Sequence, residues 1–240
     1  MMNIKQLGKI TAGLTMVFAA SQSFAGPLNI TSIGGNFENA VTAPSGGGTI
    51  AYVDGATDNV SWGVPVPSTG PKSSYDFTVN QALVGTSPNL DTPFLLGTLV
   101  HNNNPILAPI LVSVDYALAL GTNGVPSTVN YSLFIEHNET PNQPCPAPGC
   151  NDIVTASDPA NADVISQNGD NYILTLLGWA ATQGGPIGGL DLETVEGQST
   201  PGFLYAQLTE APEVVPEPGL LSLLGLGLLG LGATRLRKSS

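Results

Sequence analysis

Leu111-Val112-Ser113-Val114-Asp115-Tyr116-Ala117-Leu118-Ala119-Leu120 is the stretch that decides the fold class. Val112, Val114, Tyr116, Leu118 and Leu120 fall on one face of an extended chain, with Ser113 and Asp115 among the residues opposite. A period of two marks a half-buried strand and has no helical counterpart. The same alternation runs through Ser74 to Val79, Val129 to Ile135 and Tyr172 to Leu176. Shorter β-rich runs stand at Leu28 to Ile33, Thr49 to Val53, Val60 to Trp62, Phe94 to Val100 and Phe203 to Leu208. Glycine and proline punctuate the gaps, as in Gly46-Gly47-Gly48, Pro65 to Pro71, Pro141 to Pro148 and Gly184 to Gly189. Asn168-Gly169-Asp170 predicts a hairpin turn, because Asn and Gly accept positive φ. No segment before residue 216 holds a helical period for three turns. The expectation is therefore an all-β antiparallel sandwich, jelly-roll-like, over residues 26–209, with a linker at 210–215.

Charge narrows the partners. The formal net charge is −12, from 18 acidic and 6 basic residues. Lys5, Lys9, Arg235, Arg237 and Lys238 lie near the two ends, which leaves Lys72 as the one cation of the central body. Such a surface repels phosphate backbones and anionic headgroups, which argues against nucleic acid and peripheral membrane attachment. Charged residues make up 10% and hydrophobic ones 42%, a balance that suits a packed domain and not a disordered acidic chain.

The two ends read as addresses. Lys5 and Lys9 precede the apolar run Ile10 to Ala20, and Ser23-Phe24-Ala25 stands before Gly26. This is the layout of a signal peptide over residues 1–25, cleaved between Ala25 and Gly26 after passage through the secretory translocon. At the other end, Pro216-Glu217-Pro218 precedes an uncharged Leu/Gly-rich run, Gly219 to Ala233, and then Arg235, Arg237 and Lys238. The two prolines fix an extended, donor-poor backbone that a processing enzyme can grip. As a single hydrophobic helix the run would reach roughly 20 Å, short of the roughly 30 Å hydrocarbon core. That length suits transient inner-membrane retention, with the basic cluster on the cytoplasmic side.

Val215 to Lys238 closely resembles the PEP-CTERM sorting signal of Gram-negative bacteria. The resemblance implies recognition by exosortase, cleavage near Pro216-Glu217-Pro218, and delivery to the cell surface or to an extracellular matrix of the biofilm or floc kind. A second similarity runs from about Ile33 to Leu208. Ser61-Trp62-Gly63 followed by Gly97-Thr98-Leu99-Val100-His101-Asn102-Asn103 resembles the THxN family of PEP-CTERM proteins. Trp62, Gly63, Gly97, His101 and Asn103 match that signature, while Val100 stands where the family has Thr. This family supplies no enzymatic role to carry over.

The remaining candidates for chemistry are few. Cys145 and Cys150, in Pro144-Cys145-Pro146-Ala147-Pro148-Gly149-Cys150, suit a disulfide closing a short loop in an oxidising compartment. Such a staple contributes on the order of 2 kcal/mol. His101 with Asn102 to Asn104 reads as a strand end whose side chains bond turn backbone, or else as a sugar or cation site. His137 in Glu136-His137-Asn138-Glu139 reads as a solvated strand terminus. Two histidines so far apart in sequence do not by themselves make a metal site. Asp54 to Asn59 and Asp158 to Asp163 have oxygen donors suited to Ca²⁺ but lack EF-hand spacing, and no other cofactor is implied. Trp62 and Trp179 stand in strand-like surroundings, where core packing competes with stacking on sugars.

Hydrolytic motifs are missing: there is no Gly-x-Ser-x-Gly and no His-Glu-x-x-His. The reading is a non-enzymatic surface or matrix protein, with extracellular polysaccharide as a further partner. A carbohydrate- or calcium-binding adhesion module is its alternative, and a polysaccharide hydrolase comes third.

Overall fold

The computed structural model describes residues 27–44, 49–140, 151–157 and 164–211. In chain order the strands are β1 (Ile30–Ala43), β2 (Ala51–Val53), β3 (Asp58–Trp62), β4 (Val64–Pro65), β5 (Ser73–Val79), β6 (Pro93–Asn102) and β7 (Ile106–Leu107). They continue as β8 (Ile110–Thr122), β9 (Thr128–Asn138), β10 (Asn151–Ser157), β11 (Val164–Gln167), β12 (Asp170–Ala180), β13 (Asp191–Val195) and β14 (Ser199–Glu210). One sheet has the order β1-β8-β9-β10-β13 and the other β11-β12-β14-β6-β5-β3-β2, while β4 and β7 form a separate small ladder. All the pairings are antiparallel. The all-β antiparallel class expected from the alternation is what the chain adopts.

The inward faces of the two sheets share one core. Val114, Tyr116, Leu118 and Leu120 of β8 and Val129, Tyr131, Leu133 and Ile135 of β9 come from one side; Val60, Tyr75, Phe77, Leu99, Leu174 and Leu204 come from the other. Aromatic rings close the gap. Phe77 and Tyr116 lie 4.3 Å apart between centroids, and Phe37 packs on Tyr116 at 5.0 Å.

The deciding strand departs from simple alternation at one point. Val112 is 40% exposed, whereas Leu111 and Val114 are fully buried. Opposite them, Val41 pairs with Ser113 and Thr42 with Leu111, so Val112 is skipped in the ladder. An extra residue on one strand of a pair flips the side-chain phase. The expected inward position of Val112 is therefore corrected by a bulge.

Asn168 and Gly169 have φ of 53° and 103° and join β11 to β12, which bears out the hairpin. The short runs near residues 28, 49, 60, 94 and 203 all contribute strands, but their sequences do not announce β10 or the edge strand β13. β14 runs to Glu210, and the Ala211 amide donates to the Asn171 carbonyl at 2.7 Å, so pairing continues past residue 209. Among the described residues no helix is long and apolar enough to cross a membrane. The signal peptide with Ala25-Gly26, the Gly46-Gly47-Gly48 turn, Cys145 and Cys150, the Asp158 to Asp163 loop and the tail 216–240 lie outside the described residues.

Candidate functional site

Alternate residues of a strand share a face, so the phase that buries apolar side chains also dictates which polar ones are carried inward. On β6 the inward series is Leu99 then His101; on β9 it is Leu133, Ile135 then His137. On β10 it is Asp152, Val154 and Ala156, and on β13 it is Leu192 and Thr194. β6 belongs to one sheet and β9, β10 and β13 to the other. The result is a polar cluster between the sheets, at one end of the sandwich. His101, Asp152 and Thr194 are fully buried and His137 is nearly so.

Aromatic packing fixes the two imidazoles. Trp62 stacks on His101 with 5.8 Å between centroids and lies 5.4 Å from His137. Tyr75 stands edge-on to His101 at 4.9 Å, and the two histidine rings are perpendicular at 5.1 Å.

The hydrogen bonds determine where the lone pairs are. Thr194 Oγ1 donates to the Asp152 carbonyl at 3.3 Å, so it accepts from His101 Nδ1, 2.7 Å away. His101 therefore carries its hydrogen on Nδ1. Its Nε2 is a buried acceptor with no partner among the described residues. Burial first, and the nearby His137 second, hold the His101 imidazolium well below its usual range, so the ring is neutral at neutral pH.

His137 Nδ1 meets the Tyr75 hydroxyl, and its Nε2 lies 2.9 Å from Glu139 Oε2. Asp152 Oδ1 accepts from the Thr140 amide at 2.8 Å and from the Thr140 hydroxyl at 3.1 Å. Its Oδ2 has no hydrogen-bond partner among the described residues and stands 3.9 Å from His137 Nε2. One donor atom from each of His101, His137 and Asp152 lies within 4.8 Å of the others, and Glu139, Asp152 and Glu196 form a second such group. Lys72, the single cation of the body, is spent on the Thr49 carbonyl at 2.8 Å.

Burial, then Asp152 and Glu139, push the Glu196 carboxyl up to about 7 from an ordinary 4.5. A raised acid means that the folded form holds a proton that the unfolded chain has lost between those values, so the charged side chain costs stability above about 7. With divalent ions chelated, Glu196→Gln is expected to raise the thermal midpoint relative to the parent at pH 8. The gain should shrink as the pH falls through 7, as read by calorimetry of both proteins.

Several expectations are corrected here. His137 is not a solvated terminus, because β9 continues to Asn138 and keeps the inward phase set by Ile135. His101 bonds the Thr194 side chain and not turn backbone. That role falls to Asn104, whose Nδ2 donates to the Lys72 carbonyl at 2.9 Å, while Asn102 Nδ2 donates to Asp76 at 2.6 Å. Asn103 is fully buried, and its carboxamide has no partner among the described residues. In the Asp54 to Asn59 loop, Asp58 accepts from the Tyr116 hydroxyl at 2.7 Å and from the Gly55 amide at 3.0 Å. Trp62 and Trp179 are buried, so neither presents a face to a sugar.

The signature glycines have local causes. Gly63 has φ of 80°, and a Cβ at Gly97 would sit 2.6 Å from the Phe77 ring. Asp152, Thr194, Tyr75, Glu139 and Glu196 were not legible as site residues. Continuing the inward phase of Ile135 by two positions would have found His137.

A search of curated proteins finds no match to the chain. Residues 214–238 match the PEP-CTERM protein-sorting motif, which spans Pro216, Glu217, Pro218, Arg235, Arg237 and Lys238. The chain thus carries a PEP-CTERM protein-sorting motif, which implies processing by exosortase and indicates an exported protein sorted to the cell envelope or surface.

Proposed function

We propose that this protein is a non-catalytic β-sandwich delivered to the surface or extracellular matrix of a Gram-negative cell. Residues 1–25 direct it through the translocon, and Gly219 to Ala233 hold it briefly in the inner membrane. Exosortase then cuts near Pro216-Glu217-Pro218 and frees or transfers the domain. The match over residues 214–238 carries this reading. Cys145 and Cys150 are assigned a loop staple suited to the oxidising compartment. The acidic body keeps the delivered domain soluble beside anionic polymer, and extracellular polysaccharide is the neighbour it would meet there.

Deleting Pro216 to Ser240 is expected to move the protein from the surface-held fraction to the free periplasmic one, followed by fractionation and immunoblotting. An unchanged distribution refutes the reading. Of the alternative binding roles, a cation-holding one is favoured over a sugar-holding one, because both tryptophans are buried while a donor cluster with atoms that have no partner among the described residues lies between the sheets.

A further inference from the structure

We propose that His101 Nε2, His137 Nε2 and Asp152 Oδ2 form a site for one divalent transition metal of the zinc class, which pins the two sheets together at that end of the sandwich. This stands independently of the sorting reading. Two imidazole nitrogens and a carboxylate are the donor set of a borderline metal, whereas Ca²⁺ takes an all-oxygen shell. Ligand atoms at about 2.0–2.1 Å from a tetrahedral ion stand roughly 3.3–3.4 Å apart. The His137 Nε2 to Asp152 Oδ2 separation is 3.9 Å, and one donor atom of each of the three residues lies within 4.8 Å of the others, so closing on an ion shortens these separations by about 1.5 Å or less. Glu139 Oε2, already against His137 Nε2, is placed as the fourth donor.

The arrangement around those atoms is that of a metal centre, with outer partners orienting each ligand. Thr194 fixes His101 with its hydrogen on Nδ1, so the lone pair of Nε2 faces no donor among the described residues. With a cation on His137 Nε2, the ring's hydrogen sits on Nδ1 and is given to the Tyr75 oxygen. Thr140 occupies Asp152 Oδ1 and leaves Oδ2 without a hydrogen bond among the described residues. An all-protein explanation leaves buried acceptors unsatisfied, contrary to what packed interiors tolerate. It also gathers the Glu139 and Asp152 carboxyl groups, while Lys72, the single cation of the body, is held by the Thr49 carbonyl.

The chain contains 2 histidines, so its metal environment can be read without a variant. The untagged full chain, exported and purified, is equilibrated with Zn²⁺ alone and studied by X-ray absorption. One zinc per chain with two imidazole scatterers, not displaced by excess Ca²⁺, is the expected result. No bound zinc, or an oxygen-only shell from surface carboxylates, overturns the proposal, as does equal competition by Ca²⁺. Asp152→Asn is expected to abolish tight binding, and Thr194→Val, which touches no metal, to weaken it about 10–100-fold. Undiminished affinity in both folded variants would also overturn it. Should either variant fail to fold, the spectrum of the parent protein decides.

Discussion

Trp62→Ala is expected to lower the unfolding free energy by about 3–5 kcal/mol, the range for removing a fully buried large aromatic from a packed core. Trp62 has no exposed surface and touches Tyr75 and His101 of its own sheet and His137 across the gap between the sheets, with the Tyr75 ring 4.9 Å away. Its deletion opens a cavity that three rings from two sheets cannot collapse into without losing their own packing. Trp62 Nε1 has no hydrogen-bond partner among the described residues, so Trp62→Phe sacrifices volume alone and should cost well under half as much. Urea unfolding of the three proteins checks both values. Equal losses for Ala and Phe would mean that the indole N–H, and not packing, is what matters there.

Gly97→Val is expected to cost about 3 kcal/mol, the upper part of the range for overpacking a filled site. A Cβ at this position stands 2.6 Å from two Phe77 ring carbons and 2.9 Å from the Thr78 carbonyl oxygen. Phe77 is itself packed against Tyr116, with 4.3 Å between ring centroids, so displacing it disturbs a second core ring. The Thr78 oxygen belongs to β5, which is paired along its length with β6. The strain falls on β6 four residues before His101, so a displaced imidazole should accompany the lost stability. Gly97→Ala should show the same sign with a smaller loss, and a neutral Gly97→Val would contradict the close approach.

The fold was legible because its signal is a period, repeated over many short segments. Ser74 to Val79, Val129 to Ile135 and the Asn168-Gly169 turn all took their expected roles. The cluster between the sheets was not legible, for a physical reason. β10 reads Asn-Asp-Ile-Val-Thr-Ala-Ser, and its inward face opens on Asp152, so a hydrophobicity pattern sees an interrupted run. β13 reads Asp-Leu-Glu-Thr-Val and turns Thr194 inward, with the same effect. A polar residue at a core position looks like a loop residue until its partners are known, and those partners lie on strands far away in sequence. His101 stands out in the sequence through its asparagine neighbours, yet its chemistry depends on Thr194 and on the phase of β9. Val112 failed for a smaller reason, since one skipped residue in the ladder inverts the face.

Intact mass of the mature protein from its native host tests the delivery account most directly. The expected species begins at Gly26 and ends within or beside Pro216-Glu217-Pro218, its hydrophobic stem and basic cluster gone. A mature chain that still runs uncut to Ser240 would contradict it.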